Sequence, residues 1–159
     1  MPQTLFTANH IERTHTIEIR GRREKIFPLF SPLGEKDWVP DWDPTFHYPR
    51  SGELVEGGVF TTSREGEQDT IWLVMEFEPL EFRVKYARVT PGSRVAVVEV
   101  RCEEADGGAT RAQVSYTFTA LSDGGNEYLA EFNEAHYRDY IESWRPAIDD
   151  YLTEREGKM

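Results

Sequence analysis

A chain of 159 residues with a formal net charge of −11 lacks the concentrated Lys/Arg face that phosphate contacts need, which argues against a nucleic-acid partner and equally against an anionic membrane surface. Its one cysteine, Cys102, excludes an internal disulfide framework and a cysteine-based zinc site. The length suits one domain over residues 1–159, with its core over about 15–152, and the 13% of aromatic residues, four of them tryptophan, exceeds what a minimal core needs and suits a ligand pocket.

After a loose start, His15 to Arg20 alternates polar with apolar and predicts a strand that buries Ile17 and Ile19. Gly21 ends it. Arg23 to Phe30 has helical spacing in Ile26, Phe27, Leu29 and Phe30, with Pro28 limiting it to a short or distorted helix, and a second short turn is expected over Leu33 to Asp37. Trp38 to Pro44 (WVPDWDP) is rich in turn formers and reads as a loop that carries two tryptophans.

From there the chain breaks into short runs separated by turn signals, as an antiparallel sheet requires. The expected strands are Thr45 to Tyr48, Gly58 to Ser63, Thr70 to Phe77, Phe82 to Val89, Arg94 to Cys102, and Arg111 to Leu121. Alternation puts Ala96, Val98, Val100 and Cys102 on one face of their strand, and Ala112, Val114, Tyr116, Phe118 and Ala120 on one face of theirs. Phe82, Val84 and Tyr86 share a face, as do Trp72 and Val74. The opposite phase of that last strand, Ile71, Leu73, Met75 and Phe77, is equally apolar and leaves the orientation of Trp72 open.

Asn126 to Arg155 predicts one long amphipathic helix. At 100° per residue, Leu129, Phe132, Asn133, His136, Tyr137, Tyr140, Trp144, Ala147, Ile148 and Tyr151 share a broad face opposite Glu131, Arg138, Glu142 and Asp149. Pro146 should kink or interrupt the helix, because it cannot donate to the carbonyl of Glu142. The middle of the stripe is unusual. Asn133, His136 and Tyr140, at i, i+3 and i+7, place an amide, an imidazole and a phenol where a plain core helix would carry Leu or Val, so these groups either find local partners or line a cavity.

The order of strand, two short helices, antiparallel strands and one long helix describes an α+β layer. With the stretches FPLFSPLGEKDWVPDW, GGVFTT, TPGSRVAVVEVRC and SWRPAIDDYL, it resembles the SRPBCC superfamily, the START-domain and birch-pollen-allergen-like group, from His15 to Leu152. The resemblance implies the helix-grip fold: a curved antiparallel sheet of six to seven strands wrapped around a long C-terminal helix, with a hydrophobic cavity between them. It implies that the loop carrying Trp38 and Trp42 lies near the cavity mouth, where the two could close over a flat ligand; the alternative is that they plug the gap between short helices and sheet, the reading taken for Trp38, while Trp42 is kept as a ligand candidate. Trp72, Tyr86, Tyr116, Phe118, Phe132, Asn133, His136, Tyr140 and Trp144 are then the candidate ligand contacts, with His136 the weak candidate for catalysis.

Carriage or sequestration of a small hydrophobic or aromatic molecule is the expected function. The alternatives within the resemblance are a polyketide cyclase or dehydratase acting in the same cavity and a chaperone-ATPase activator acting through its surface. Asp41, Asp43 and His47 do not have a spacing that metal chemistry demands, so no metal and no cofactor are expected. Cys102 should be an inert buried thiol, and His10 and His15 solvated. With no run of eighteen apolar residues and no apolar leader in MPQTLFTANHIERTH, a cytoplasmic location without membrane insertion is expected, and a homodimer is left open.

Overall fold

The computed structural model describes residues 6–157. Seven strands form one antiparallel sheet: β1 (His10–Arg20), β2 (Thr45–Tyr48), β3 (Val59–Thr62), β4 (Thr70–Glu78), β5 (Arg83–Thr90), β6 (Arg94–Glu104) and β7 (Ala109–Ala120). Their spatial order is β1-β7-β6-β5-β4-β3-β2, so the chain meanders from β2 to β7 and the first strand closes the far edge beside the last. The strands alternate as the sequence requires. On β6 and β7, Ala96, Val98, Val100 and Cys102, and Ala112, Val114, Tyr116, Phe118 and Ala120, are all buried on the inner face.

The open question of β4 is settled by its register. Trp72 and Val74 point inward, whereas Ile71, Leu73 and Met75 are 41%, 41% and 43% exposed on the outer face. A bulge between Val74 and Glu76 then shifts the pairing with β5. Two other expectations need correction. β1 begins at His10, not His15, because residues 10–14 pair with 115–119 of β7 and are held there by the edge position rather than by an apolar alternation. Phe82 lies outside β5, in the left-handed region at φ 55°, where it closes the short 3-10 turn Pro79–Glu81 and presents its ring edge to Phe27.

Between β1 and β2, α1 (Arg23–Ile26) passes directly into a 3-10 turn at Phe27–Phe30, since Pro28 has no N–H to continue an α-helix, and a second 3-10 turn spans Gly34–Asp37. The largest departure from expectation is at the C-terminus. The single helix is three segments: α2 (Asp123–Glu131), α3 (Glu134–Glu142) and α4 (Trp144–Gly157).

The two junctions differ in kind. Ser143 keeps right-handed helical angles, so α3 and α4 form one helical path with an interruption three residues before Pro146. Phe132 and Asn133 leave helical space altogether, with ψ values of 58° and 171°. Asn133 caps α3 there: its side-chain oxygen accepts the N–H of His136 at 2.8 Å. The carbonyl released at Phe132 accepts Nε of Arg13 from β1 at 2.9 Å. Below the break, Tyr137 and Ile141 are buried against the sheet, and the Tyr137 hydroxyl donates to the carbonyl of Val114 at 2.7 Å. His15 is not simply solvated, because its Nε2 lies 2.9 Å from a carboxylate oxygen of Glu142 and ties β1 to α3.

Removing the cap should therefore act on stability alone. Asn133→Ala is expected to lower the unfolding free energy in urea by about 1 kcal/mol, the usual worth of an Asn cap. An unchanged denaturation midpoint would show that the cap does not hold the break.

Candidate functional site

A cavity of about 880 Å³ lies between the inner face of β3–β7 and the helical cover. Its walls are aromatic. Trp72 stacks on Phe60 at 5.4 Å and meets Trp42 and Tyr86 edge-on at 5.7 and 5.9 Å. On the opposite side Trp144 packs near Trp38 at 5.6 Å and near Tyr140 at 5.6 Å. Val98, Val100 and Ala147 complete the apolar lining. The exposed residues Asp41, Asp43, Arg64 and Glu65, on the tryptophan loop and the β3–β4 turn, mark where the cavity meets solvent.

Six of the ten residues singled out from the sequence line this space: Trp42, Trp72, Tyr86, Tyr116, Tyr140 and Trp144. Four do not, and two of those misplacements, Asn133 and His136, share one cause. The helical wheel assumed an unbroken helix, and the break at Phe132–Asn133 takes Asn133 and His136 out of the stripe, whereas Tyr137, Tyr140, Trp144, Ala147 and Ile148 beyond it keep the inward side. Asn133 is therefore exposed and occupied as a cap, and His136 is exposed with its ring against the edge of Phe132 at 4.9 Å. Phe132 stacks on Phe118 at 5.4 Å in an adjoining aromatic cluster with Tyr128, so both are core rather than cavity wall. Tyr140 is 36% exposed and takes part in both groups of rings.

Trp38 fills the expected gap: it is buried, and its indole N–H donates to the carbonyl of Leu29 at 2.7 Å. The N–H of Trp42 donates to the carbonyl of Pro32 at 2.8 Å. Two indoles thus hold the Leu29–Pro32 segment, and the segment in turn positions Glu35. At Gly34 a side chain would collide with the carbonyl oxygen of Pro28, so this turn packs backbone against backbone and only glycine fits.

Glu35 and Arg88 are the residues that sequence reasoning missed. Arg88 had a signal, since it alternates in phase with Val84 and Tyr86 on β5. It sits directly across from Trp72, with its guanidinium 4.8 Å from the centre of that ring. Nε of Arg88 is buried with no partner among the described residues. Glu35 carried no signal, because a 3-10 turn has no long periodicity from which to read a face. It is half-buried, and what it exposes lies toward the cavity. Desolvation pushes its carboxyl up to about 8, with the positive charge of Arg88 opposing that rise. Burial likewise raises the phenols of Tyr86 and Tyr116 well above their ordinary value, so both remain protonated donors. The Tyr86 hydroxyl is already committed to the carbonyl of Phe30 at 2.9 Å.

Elsewhere, Cys102 is buried and burial pushes its thiol up to about 12, which leaves it unreactive at neutral pH. His47 is exposed with Nε2 3.1 Å from the Thr61 hydroxyl, and among the described residues no group of three or more His, Cys, Asp or Glu could hold a metal ion. Among the same residues no helix is long and apolar enough to cross a membrane.

The raised carboxyl has a consequence for stability. In the unfolded chain Glu35 ionises near 4.5, in the folded protein near 8, so between those values folding takes up a proton and stability falls as pH rises. The slope is roughly 1.4 kcal/mol per pH unit, less whatever water entering the cavity relieves. Glu35→Gln has no such loss. Its stability relative to the parent, measured by urea unfolding, should increase from about pH 5 to about pH 8 and then stay level. A difference that does not vary with pH would contradict the buried neutral acid.

No family model matches the chain, and no curated protein matches it in sequence. Solved structures do. Norcoclaurine synthase from Thalictrum flavum, in complex with dopamine and hydroxybenzaldehyde, superposes with a TM-score of 0.66 at 11% identity over 97% of this chain and 98% of its own. Major latex-like protein 151 from Panax ginseng gives 0.63 at 15% identity over 89% and 97%. CalU16 from Micromonospora echinospora gives 0.58 at 14% over 96% and 90%. At these identities the likeness is one of fold. The chain has the helix-grip α+β fold, in accord with its sequence resemblance to the SRPBCC superfamily.

Proposed function

We propose that the protein binds a small hydrophobic or aromatic molecule in the cavity between sheet and helices. The observation that carries this reading is the unfilled volume itself. Protein interiors pack to crystal-like density and leave few voids larger than a water molecule, whereas about 880 Å³ stands open here behind a wall of rings, within the range typical of ligand sites. The complex of norcoclaurine synthase with dopamine and hydroxybenzaldehyde is in keeping with it, since a protein of the same fold there binds small aromatic molecules.

A second reading is an enzyme of the cyclase or dehydratase kind in the same cavity. It is favoured by Glu35, an acid whose carboxyl is pushed up to about 8 and which could give up or take a proton near neutral pH. His136 has no part in that reading, because it faces solvent outside the cavity.

All four indoles, Trp38, Trp42, Trp72 and Trp144, line the cavity, so occupancy should be visible in their fluorescence. Saturable quenching by 2-naphthol is expected, with a Kd on the order of tens of micromolar for a ligand of this size. Val98→Trp, which fills the cavity from β6, should abolish the quenching while leaving the far-UV spectrum intact. No response to any of a set of neutral and charged naphthalenes, together with a native mass equal to that of the chain alone, would refute the binding reading.

A further inference from the structure

Two arginines point inward from neighbouring strands, and their surroundings differ. Arg94, at the start of β6, is 3% exposed, donates to a carboxylate oxygen of Glu67 at 2.6 Å and to the Ser93 hydroxyl at 3.0 Å, and covers the ring of Tyr128. Its Nη2, too, has no partner among the described residues, but its charge is compensated by Glu67, so its role is structural. Arg88 faces the cavity with only the face of Trp72 beneath it, a buried Nε that bonds nothing among the described residues, and no ion pair among them. Opposite it on β6 stands Ala96, too small to fill the space beside a guanidinium. A guanidinium does not shed its charge in proteins, and a buried charge without a counter-ion is costly, by several kcal/mol in effective terms.

Two cavity carboxyls feel the charge of Arg88, Glu35 and Glu67, and neither makes an ion pair with it, Glu67 being engaged by Arg94. Close by, the hydroxyls of Tyr116 and Tyr140 line the same cavity and donate to no described residue, in contrast to those of Tyr86 and Tyr137. The arrangement is therefore a cation with unspent hydrogen-bond donors, two phenolic donors and a ring of indoles. We infer that the occupant is an aromatic carboxylate, its anionic group bound by Arg88 and its ring held among the tryptophans. This assignment rests on the cavity being a binding site, and it adds the charge that the binding reading leaves open. Planar, forked donors of this kind match the two oxygens of a carboxylate.

At Glu35 desolvation, which favours the neutral acid, outweighs the opposing charge of Arg88. The groups that face Glu35 are Arg88 and Tyr86 from β5 and Tyr116 from β7; Tyr140 faces the cavity from α3, and α4 contributes only Trp144 and Ala147. Asp41, Asp43, Arg64, Glu65 and Glu67 line its outer part. Once Glu35 ionises, near pH 8, its carboxylate competes with the ligand for Arg88. The acidic rim opposes an incoming anion only over a Debye length of about 8 Å at physiological salt, so it slows entry without neutralising the site.

The test compares 2-naphthoate with its neutral isostere 2-naphthamide by tryptophan quenching and calorimetry, on the parent chain, Arg88→Met and Glu35→Gln. At pH 6.5 the parent should bind naphthoate about tenfold or more tightly than naphthamide, the usual advantage of a charge-assisted pair. Arg88→Met, which keeps the aliphatic bulk, should erase that preference and bind naphthamide within about threefold of the parent, as loss of one charged partner predicts. At pH 9 naphthoate should bind the parent more weakly than at pH 6.5, and Glu35→Gln should remove most of that change. Equal affinity for the two probes in the parent would overturn the assignment while leaving the cavity as a binding site, and so would a preference that survives in Arg88→Met. Failure of both probes to bind the parent would count against the cavity reading and this one together. The comparison on the parent chain needs no variant, so it decides the matter even if Arg88→Met does not fold.

Discussion

A sheet with one apolar face must have that face covered, and a straight helix cannot follow the inner surface of seven twisted strands. The constraint on which this structure depends is therefore the break at Phe132–Asn133, where the cover changes direction. Breaking a helix exposes carbonyls at one end and N–H groups at the other, and both must be satisfied. Arg13 supplies the donor from β1, and Asn133 supplies the acceptor from within the break. With those bonds made, α3 turns Tyr137 and Ile141 onto the sheet and sends Tyr140 and Trp144 toward the cavity.

The cavity persists because its walls are made of groups that cannot collapse into it. Rings meeting edge to face hold one another apart at 5–6 Å and have few rotamers with which to fill a void. The two charged-type residues add to this through their protonation states. A neutral Glu35 and a cationic Arg88 have little reason to close on each other, whereas an ionised carboxylate would be drawn to the guanidinium and would tend to fill the space between them.

Much of this fold could be read in advance. Strand alternation places Val84, Tyr86, Val98, Tyr116 and Phe118 correctly, and the proline at position 28 announces the distorted turn after α1. Trp72 could not be oriented, because both faces of β4 are apolar and only pairing with β5 distinguishes them. The C-terminal helix misled for a different reason. Periodicity is a sum over a long window, and one asparagine acting as a cap turns its own side chain and that of His136 outward while leaving the sum almost intact. Arg88 was legible from alternation with Tyr86 but looked like an ordinary strand-face arginine. Glu35 was not legible at all, since its importance comes from what folds around it.

The two indole bonds to the Leu29 and Pro32 carbonyls, together with the side-chain-free approach at Gly34, fasten the turn that carries Glu35 to the rest of the frame. Such a segment tolerates neither insertion nor deletion, because a shift of one residue would unseat both tryptophans and the acid at once. Change in the shape of the cavity is thus easiest by single replacements among the side chains that line it from sheet and helices, on a scaffold whose loop lengths stay fixed.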